Sequence, residues 1–166
     1  MPSIYSTVNL ILTPASLIWS PIFAGYYLYL GASVSVLRAK TKYLVGTGPD
    51  AVKGTHKADD QVASPTDVQA LQVAARAHAN FSEQVPISLI MTILAEINGA
   101  PTYLVHALYA AFFSLRVAHN ELGMKLNNTL GMGRPVGTVG TWFLLASTGV
   151  YNVGLGWDSF KSFAGY

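Results

Sequence analysis

Hydrophobic residues dominate this chain in long blocks separated by a few polar stretches. No residue between Met1 and Leu37 is charged, and from about Val8 onward this run exceeds the roughly 20 residues with which a helix crosses a hydrocarbon core of about 30 Å. Arg38 is the first charge. A second uncharged block covers Ile97 to Leu115, interrupted only by His106, and a third covers Pro135 to Trp157. These three blocks read as membrane spans. The remaining apolar, helix-compatible segment, Val68 to Ile97, carries Arg76, His78, Asn80, Glu83 and Glu96. Ionisable groups in a bilayer helix are costly unless they face a partner or a wet cavity, so this segment must turn a polar stripe inward. The pattern therefore predicts an all-α integral membrane protein, a four-transmembrane-helix bundle in a single domain over residues 1–166. The expected spans are about 8–38, 68–98, 102–122 and 135–157, with a polar loop at about 39–67 and a short tail after Trp157. Pro14 and Pro21 fall inside the first span, where a bilayer helix tolerates them as kinks. That span lacks a basic leading region and is too long for the apolar part of a signal peptide, so it is expected to remain in the mature protein.

Composition sharpens this picture. Of 166 residues, 51% are apolar and 11% are charged, against a usual charged share of about 25%. A soluble fold of this size could not cover its surface with so few charges, and a chain this apolar is not intrinsically disordered. With no cysteine, it has no disulfide framework, thiolate metal site or cysteine nucleophile. A net charge of +2 gives no nucleic-acid footprint. Lys40, Lys42, Lys53 and Lys57 lie in the first loop, and Lys125 and Arg134 in the third connection, Gly123 to Arg134; the turn Asn98 to Thr102 has no basic residue. The positive-inside rule then puts the first and third connections on the cytoplasmic side and both termini opposite.

The chemistry gathers on the second helix. Arg76, Asn80 and Glu83 are spaced i, i+4 and i+7, within roughly 60° of one another around a helix. A guanidinium, an amide and a carboxylate on one stripe offer donors to a carboxylate and an acceptor to an ammonium, which suits a zwitterionic, peptide-like ligand. An ion pair that merely locks helices together is the alternative. All four arginines, Arg38, Arg76, Arg116 and Arg134, fall toward the same membrane face, whereas the loops and tail use six lysines. This clustering points to an anion pocket, with snorkelling at helix ends as its plainer explanation. His119 follows Arg116 by three residues, with Asn120 and Glu121 beside it, and is either a proton shuttle or ligand donor or a packed structural residue. His56 and His106 are expected to stand apart from this chemistry. No two histidines have metal-ligand spacing within one helix, so no metal site is expected.

The stretch RAHANFSEQVPISLIMTILAEINGAP, Arg76 to Pro101, resembles the second-helix signature of the MAPEG superfamily, the membrane-associated proteins of eicosanoid and glutathione metabolism. VSVLRAKTKY at the end of the first span, RVAHNELGM from Arg116 to Met124 and RPVGTVGT from Arg134 agree with it. The resemblance implies a homotrimer of four-helix subunits that binds glutathione between neighbours near the cytoplasmic side. Carried over by position, Arg38, Arg76, His78, Asn80 and Glu83 match glutathione-contacting places, with Glu83 suited to the γ-glutamyl ammonium. His119 matches a further contact. Arg134 matches the arginine that holds the thiol as thiolate, and Arg116 is matched as well. The chain departs from the family at Gly123, where several members have tyrosine, at Ala79, where some have a second arginine, and at Pro135, where prostaglandin-forming members have serine. These departures point away from a dedicated eicosanoid synthase.

The resemblance thus implies a membrane-bound glutathione transferase or peroxidase acting on lipophilic electrophiles or hydroperoxides, with Arg134, His119 and Arg116 as catalytic candidates and glutathione as co-substrate. Two alternatives stay open: a glutathione-independent lyase, isomerase or cyclase of a lipophilic metabolite, and a non-catalytic binding or scaffold protein. The expected location is the endoplasmic reticulum membrane in a eukaryote or the inner membrane in a bacterium.

Overall fold

The computed structural model describes residues 13–46, 52–53, 63–126 and 129–165. Its first helix, α1, runs Pro14–Thr41, with Pro14 in the first turn, where its missing N–H costs nothing. The preceding Thr13 supplies no side-chain cap. Glu96, from the far end of the second helix, takes that role: its carboxylate accepts from the backbone N–H of Ala15 at 2.7 Å and of Ser16 at 3.1 Å, and from the Ser16 hydroxyl. A carboxylate at a helix N-terminus meets the positive end of the macrodipole as well as the free amides. The Tyr109 hydroxyl, 2.7 Å from Ser16 Oγ, adds the third helix to this clasp, and Trp19 Nε1 donates to His106 Nδ1 at 2.9 Å beside it.

At its other end α1 stops at Lys42, whose positive φ of 61° closes the chain back on the Arg38 carbonyl. A small antiparallel hairpin follows, β1 (Tyr43–Val45) pairing with β2 (Val52–Lys53). Apart from this hairpin and short turns the described chain is helical, so the expected helical class holds with one short exception inside the loop. Helix α2, Pro65–Ile97, is capped by Ser64, whose side chain accepts from the Asp67 amide. Lys40 meets Asp67 at 2.8 Å and holds that carboxyl below its usual range, tying the end of α1 to the start of α2. The turn into α3, Thr102–Val117, needs φ of +87° at Gly99, a conformation that glycine adopts without strain.

Helix α3 does not end at a loop. It passes into a π-helical segment, Ala118–Met124, before α4, Gly133–Ala164, begins. Several boundaries differ from the pattern-based expectation, with α1 itself running three residues past its expected end at 38. α2 begins three residues earlier than expected because Ser64 and Pro65 form a start signal that hydropathy alone does not weigh. The third helix changes its winding where a regular helix was expected to continue. α4 runs on past Trp157, its polar end carried by the Asp158 and Lys161 pair at 2.9 Å, so the expected tail is helical. Positions 8–12 of the expected first span, and His56, lie outside the described residues.

Packing pairs α1 with α2, and α4 with α3 and its π extension. Phe23, Leu30, Phe81, Val105, Tyr109 and Phe112 are buried between the helices, with Phe23 and Phe113 meeting edge to face at 5.3 Å. The distribution is inverted relative to a protein in water: Leu28, Val36, Trp142, Phe143 and Val150 are exposed, whereas Thr92, Arg116, His119, Asn120 and Thr141 are buried. Buried hydroxyls satisfy themselves one turn back, as Thr92 does on Ser88 and Thr141 on Gly137. Among the described helices, α1 is long and apolar enough to cross a membrane on its own terms.

Candidate functional site

Three arginines approach one end of the bundle from α2, α3 and α4, and their surroundings differ. Arg116 is only 2% exposed. Its Nη1 donates to Asn80 Oδ1 at 2.9 Å and its Nη2 to the Gly137 carbonyl, so one guanidinium braces α2 and α4 from α3. Asn80 is thereby turned toward α3, and its side-chain oxygen is occupied by protein. The three-residue stripe of the sequence is split. Arg76 and Glu83 are exposed, and among the described residues neither has a hydrogen-bond or ion-pair partner.

Arg134 joins Arg76. It stands in the first turn of α4, exposed, with Nη1 donating to the Thr129 carbonyl at 3.3 Å. The two arginines line one cavity of about 310 Å³ together with Gln69, Gln72, Val73, Met124 and Thr129. A second hollow of about 460 Å³ shares Gln69, Val73, Met124 and Thr129 with it and reaches Ser33 and Leu37 on α1. A cationic trough thus opens at the end of the bundle where α2 begins. With two guanidiniums and no carboxylate among the described lining residues, the trough presents donors suited to an anion.

The remaining candidates take other places. His119 is 3% exposed, with Nδ1 3.0 Å from the Arg134 carbonyl and 3.1 Å from Thr138 Oγ1, and it does not line the trough. The His78 ring packs on Tyr27 of α1 with centroids 4.8 Å apart. Arg38 Nη1 donates to the carbonyls of Tyr43 at 3.2 Å and Gly46 at 3.1 Å, holding the hairpin to the end of α1. Arg76 and Arg134 are therefore brought together, Glu83 lies two turns along the same helix as Arg76, and Arg38, His78, Asn80, Arg116 and His119 are engaged with protein.

Sequence reading named several groups in this neighbourhood without their pairing. Glu121 accepts from Tyr26 at 2.9 Å and from Lys125 at 2.7 Å, and Lys125 also donates to the Tyr29 hydroxyl at 3.0 Å. Lys125 loses some of its charge preference to burial, but the Glu121 carboxylate outweighs this and holds the ammonium above its usual range. The i, i+4 spacing of Glu121 and Lys125 is a usable signal for this pair. Gly123 was visible as a missing tyrosine, and its packing supplies the reason: a Cβ there would come within 2.7 Å of Arg134 Cα. The chain closes this approach with backbone instead of a side chain. An apolar groove of about 570 Å³ between α1 and α2 is lined by Phe23, Tyr27, Leu28, Phe81, Val85 and Leu89.

The model of the MAPEG family matches residues 16–154, most of the chain and all four helices in part or whole. The chain belongs to the MAPEG family. MAPEG proteins are membrane proteins, so the apolar exterior described above faces lipid. Two curated relatives, both the inner membrane protein YecN of Escherichia coli, one from strain K12 and one from an O6:H1 strain, are each 37% identical over 49 residues. The aligned segment is 30% of this chain and spans only 37% of the length of those relatives. No solved structure matches. Within the MAPEG frame, the inverted burial pattern and the clustered arginines belong to one design: lipid outside, polar chemistry at one end.

Proposed function

We propose that this MAPEG protein is a multi-pass membrane enzyme that binds glutathione at the cationic trough and uses Arg134 to hold its thiol as thiolate for attack on a lipophilic electrophile or hydroperoxide. The observation that carries the reading is the pairing of Arg76 and Arg134 on one cavity while Glu83, on the same helix as Arg76, has no protein partner among the described residues. Charges exposed within a membrane protein without partners require a ligand, water or a neighbouring subunit to face them. Arg76 and Glu83 lie about 10 Å apart along the helix axis, a span that suits the opposite charges of a tripeptide. The donor set fits glutathione: guanidiniums for its carboxylates and thiolate, and the Glu83 carboxylate for its ammonium. As family resemblance implies, a second and third copy of the chain would complete the site, and the four helices would each span the bilayer.

Glutathione brings the nucleophilic sulfur that a chain without cysteine lacks. At neutral pH a thiol with a pKa of about 8.5 is mostly protonated. A guanidinium beside the sulfur in low dielectric favours the charged form, and each unit of lowering gives roughly tenfold more thiolate, about 1.4 kcal/mol. Arg134 is placed for that work because its charge is permanent and its side chain reaches the trough. Arg76 and Glu83 orient the peptide, and the apolar groove between α1 and α2 offers the second substrate a path from the bilayer.

The test is turnover of a chromogenic aryl halide by purified protein in detergent, read together with ultraviolet absorbance of bound thiolate. Arg134→Ala is expected to lower both by roughly tenfold or more while glutathione still binds. Equal thiolate absorbance and equal rates in the two proteins would remove Arg134 from the mechanism. Glutathione binding without turnover on aryl halides or hydroperoxides would replace the enzyme with a binding protein.

A further inference from the structure

We infer that His119 is a positioning residue: it acts on the reaction through the backbone of Arg134 and does not touch the ligand. This deepens the glutathione reading and rests on it for the chemical consequence, though not for the geometry. His119 is 3% exposed, and its Nδ1 is 3.0 Å from the Arg134 carbonyl oxygen. A carbonyl only accepts, so Nδ1 carries the proton, and the Thr138 hydroxyl at 3.1 Å shares it. That nitrogen is thereby spent on the first turn of α4, and His119 is absent from the lining of the trough.

That first turn needs the support. Met132 precedes α4 without a side-chain cap, and among the described residues the Arg134 amide is held only by the Gly131 carbonyl at 3.0 Å, so contacts from outside the turn add to the hold on Arg134. The π-helical segment supplies the grip from two residues four apart, close to one turn, which share a face. His119 holds the Arg134 carbonyl, and Gly123 lies against the Arg134 backbone and accepts the Gly131 amide at 3.1 Å. A Cβ on Gly137 would come within 2.5 Å of His119 Cβ, so the imidazole is pressed onto α4 by helix contact as well. π-helical turns recur at functional sites because they re-aim side chains that a regular helix would point elsewhere. Here the π segment brings His119 and Gly123 against α4, and what they hold is the root of the Arg134 side chain.

Asparagine and glutamine separate the two roles open to this histidine. An asparagine amide nitrogen sits near the Nδ1 position and can donate to the Arg134 carbonyl, whereas a glutamine amide reaches the Nε2 position and cannot. His119→Asn is therefore expected to keep thiolate absorbance and the pH profile of conjugation close to wild type. His119→Gln and His119→Leu should shift the thiolate titration to higher pH and lower the rate at neutral pH by roughly threefold to tenfold, the loss of one hydrogen bond. In parallel, phenylglyoxal labelling of Arg134, followed by mass spectrometry without glutathione, should change in rate in His119→Gln and His119→Leu and stay unchanged in His119→Asn. Wild-type behaviour of His119→Gln and His119→Leu in both measurements overturns the inference. So does an Asn variant as impaired as the Leu variant, which would mean that the ring itself meets ligand or proton. If wild-type protein shows no glutathione-dependent signal, the proposed function fails, and the labelling rates alone still decide whether His119 positions Arg134.

Discussion

Arg116 and Arg76 are the same residue in opposite circumstances. Arg116 is buried and bonded to Asn80 and to the Gly137 carbonyl, and Arg76 is exposed beside Arg134 at the trough. Removing the guanidinium leaves the Asn80 side-chain oxygen without its donor, at roughly 1–3 kcal/mol, and opens space between three helices. Arg116→Ala should accordingly lower the thermal unfolding temperature of the detergent-solubilised protein sharply, because Asn80 loses its partner as well. Arg76→Ala should leave that temperature near wild type. A mild Arg116→Ala variant with intact stability would show that the brace is dispensable. The stripe spacing did make Arg76, Asn80 and Glu83 legible in the sequence as a group. The split between them was not, because it depends on α3 being near enough for Arg116 to capture Asn80, a contact 36 residues away. Lys125 carries a pH signature of its own. Its ammonium is held above the usual range, so its contribution to stability is complete below the ordinary lysine value and fades as pH rises through the folded value. Lys125→Met should remove an alkaline loss of thermal stability that the wild type shows; identical alkaline profiles would refute the pairing with Glu121.

Elements meet at two kinds of joint. The α1 N-terminus is held by Glu96 and Tyr109 from two other helices, a clasp formed 80 or more residues apart in sequence. Hydropathy blocks place Glu96 on a span but cannot say which amides it satisfies. Glu96→Ala should raise amide exchange at Ala15 and Ser16 well above that of mid-helix residues, with the far end of α1 unchanged. Uniform protection along α1 in the variant would mean that the clasp contributes nothing. The α3 to α4 joint is made by close backbone approach, and Gly137 has no room for a side chain between Leu115 and His119. The change to π winding at Ala118 left no mark in the apolar pattern, because that pattern reports which side is lipid-facing and not how many residues make a turn. The helices themselves were legible from uncharged runs and Gly or Pro punctuation. The short hairpin after α1 was not, since a strand of three residues has too few positions to show alternation.

For the whole molecule, an apolar exterior is combined with a polar end where Arg76 and Arg134 line one cavity. Family membership makes this a MAPEG membrane protein. The proposed function has α2 present Arg76 and Glu83, and α4 present Arg134, to a charged thiol tripeptide. Calorimetric titration of glutathione into the purified protein in lipid nanodiscs tests that most directly. Saturable binding at millimolar concentration or below is predicted for wild type, weakened by roughly tenfold in Arg76→Ala and in Glu83→Gln, in line with the loss of a charge-assisted contact. Absence of binding to wild type, or equal affinity in all three proteins, would contradict it.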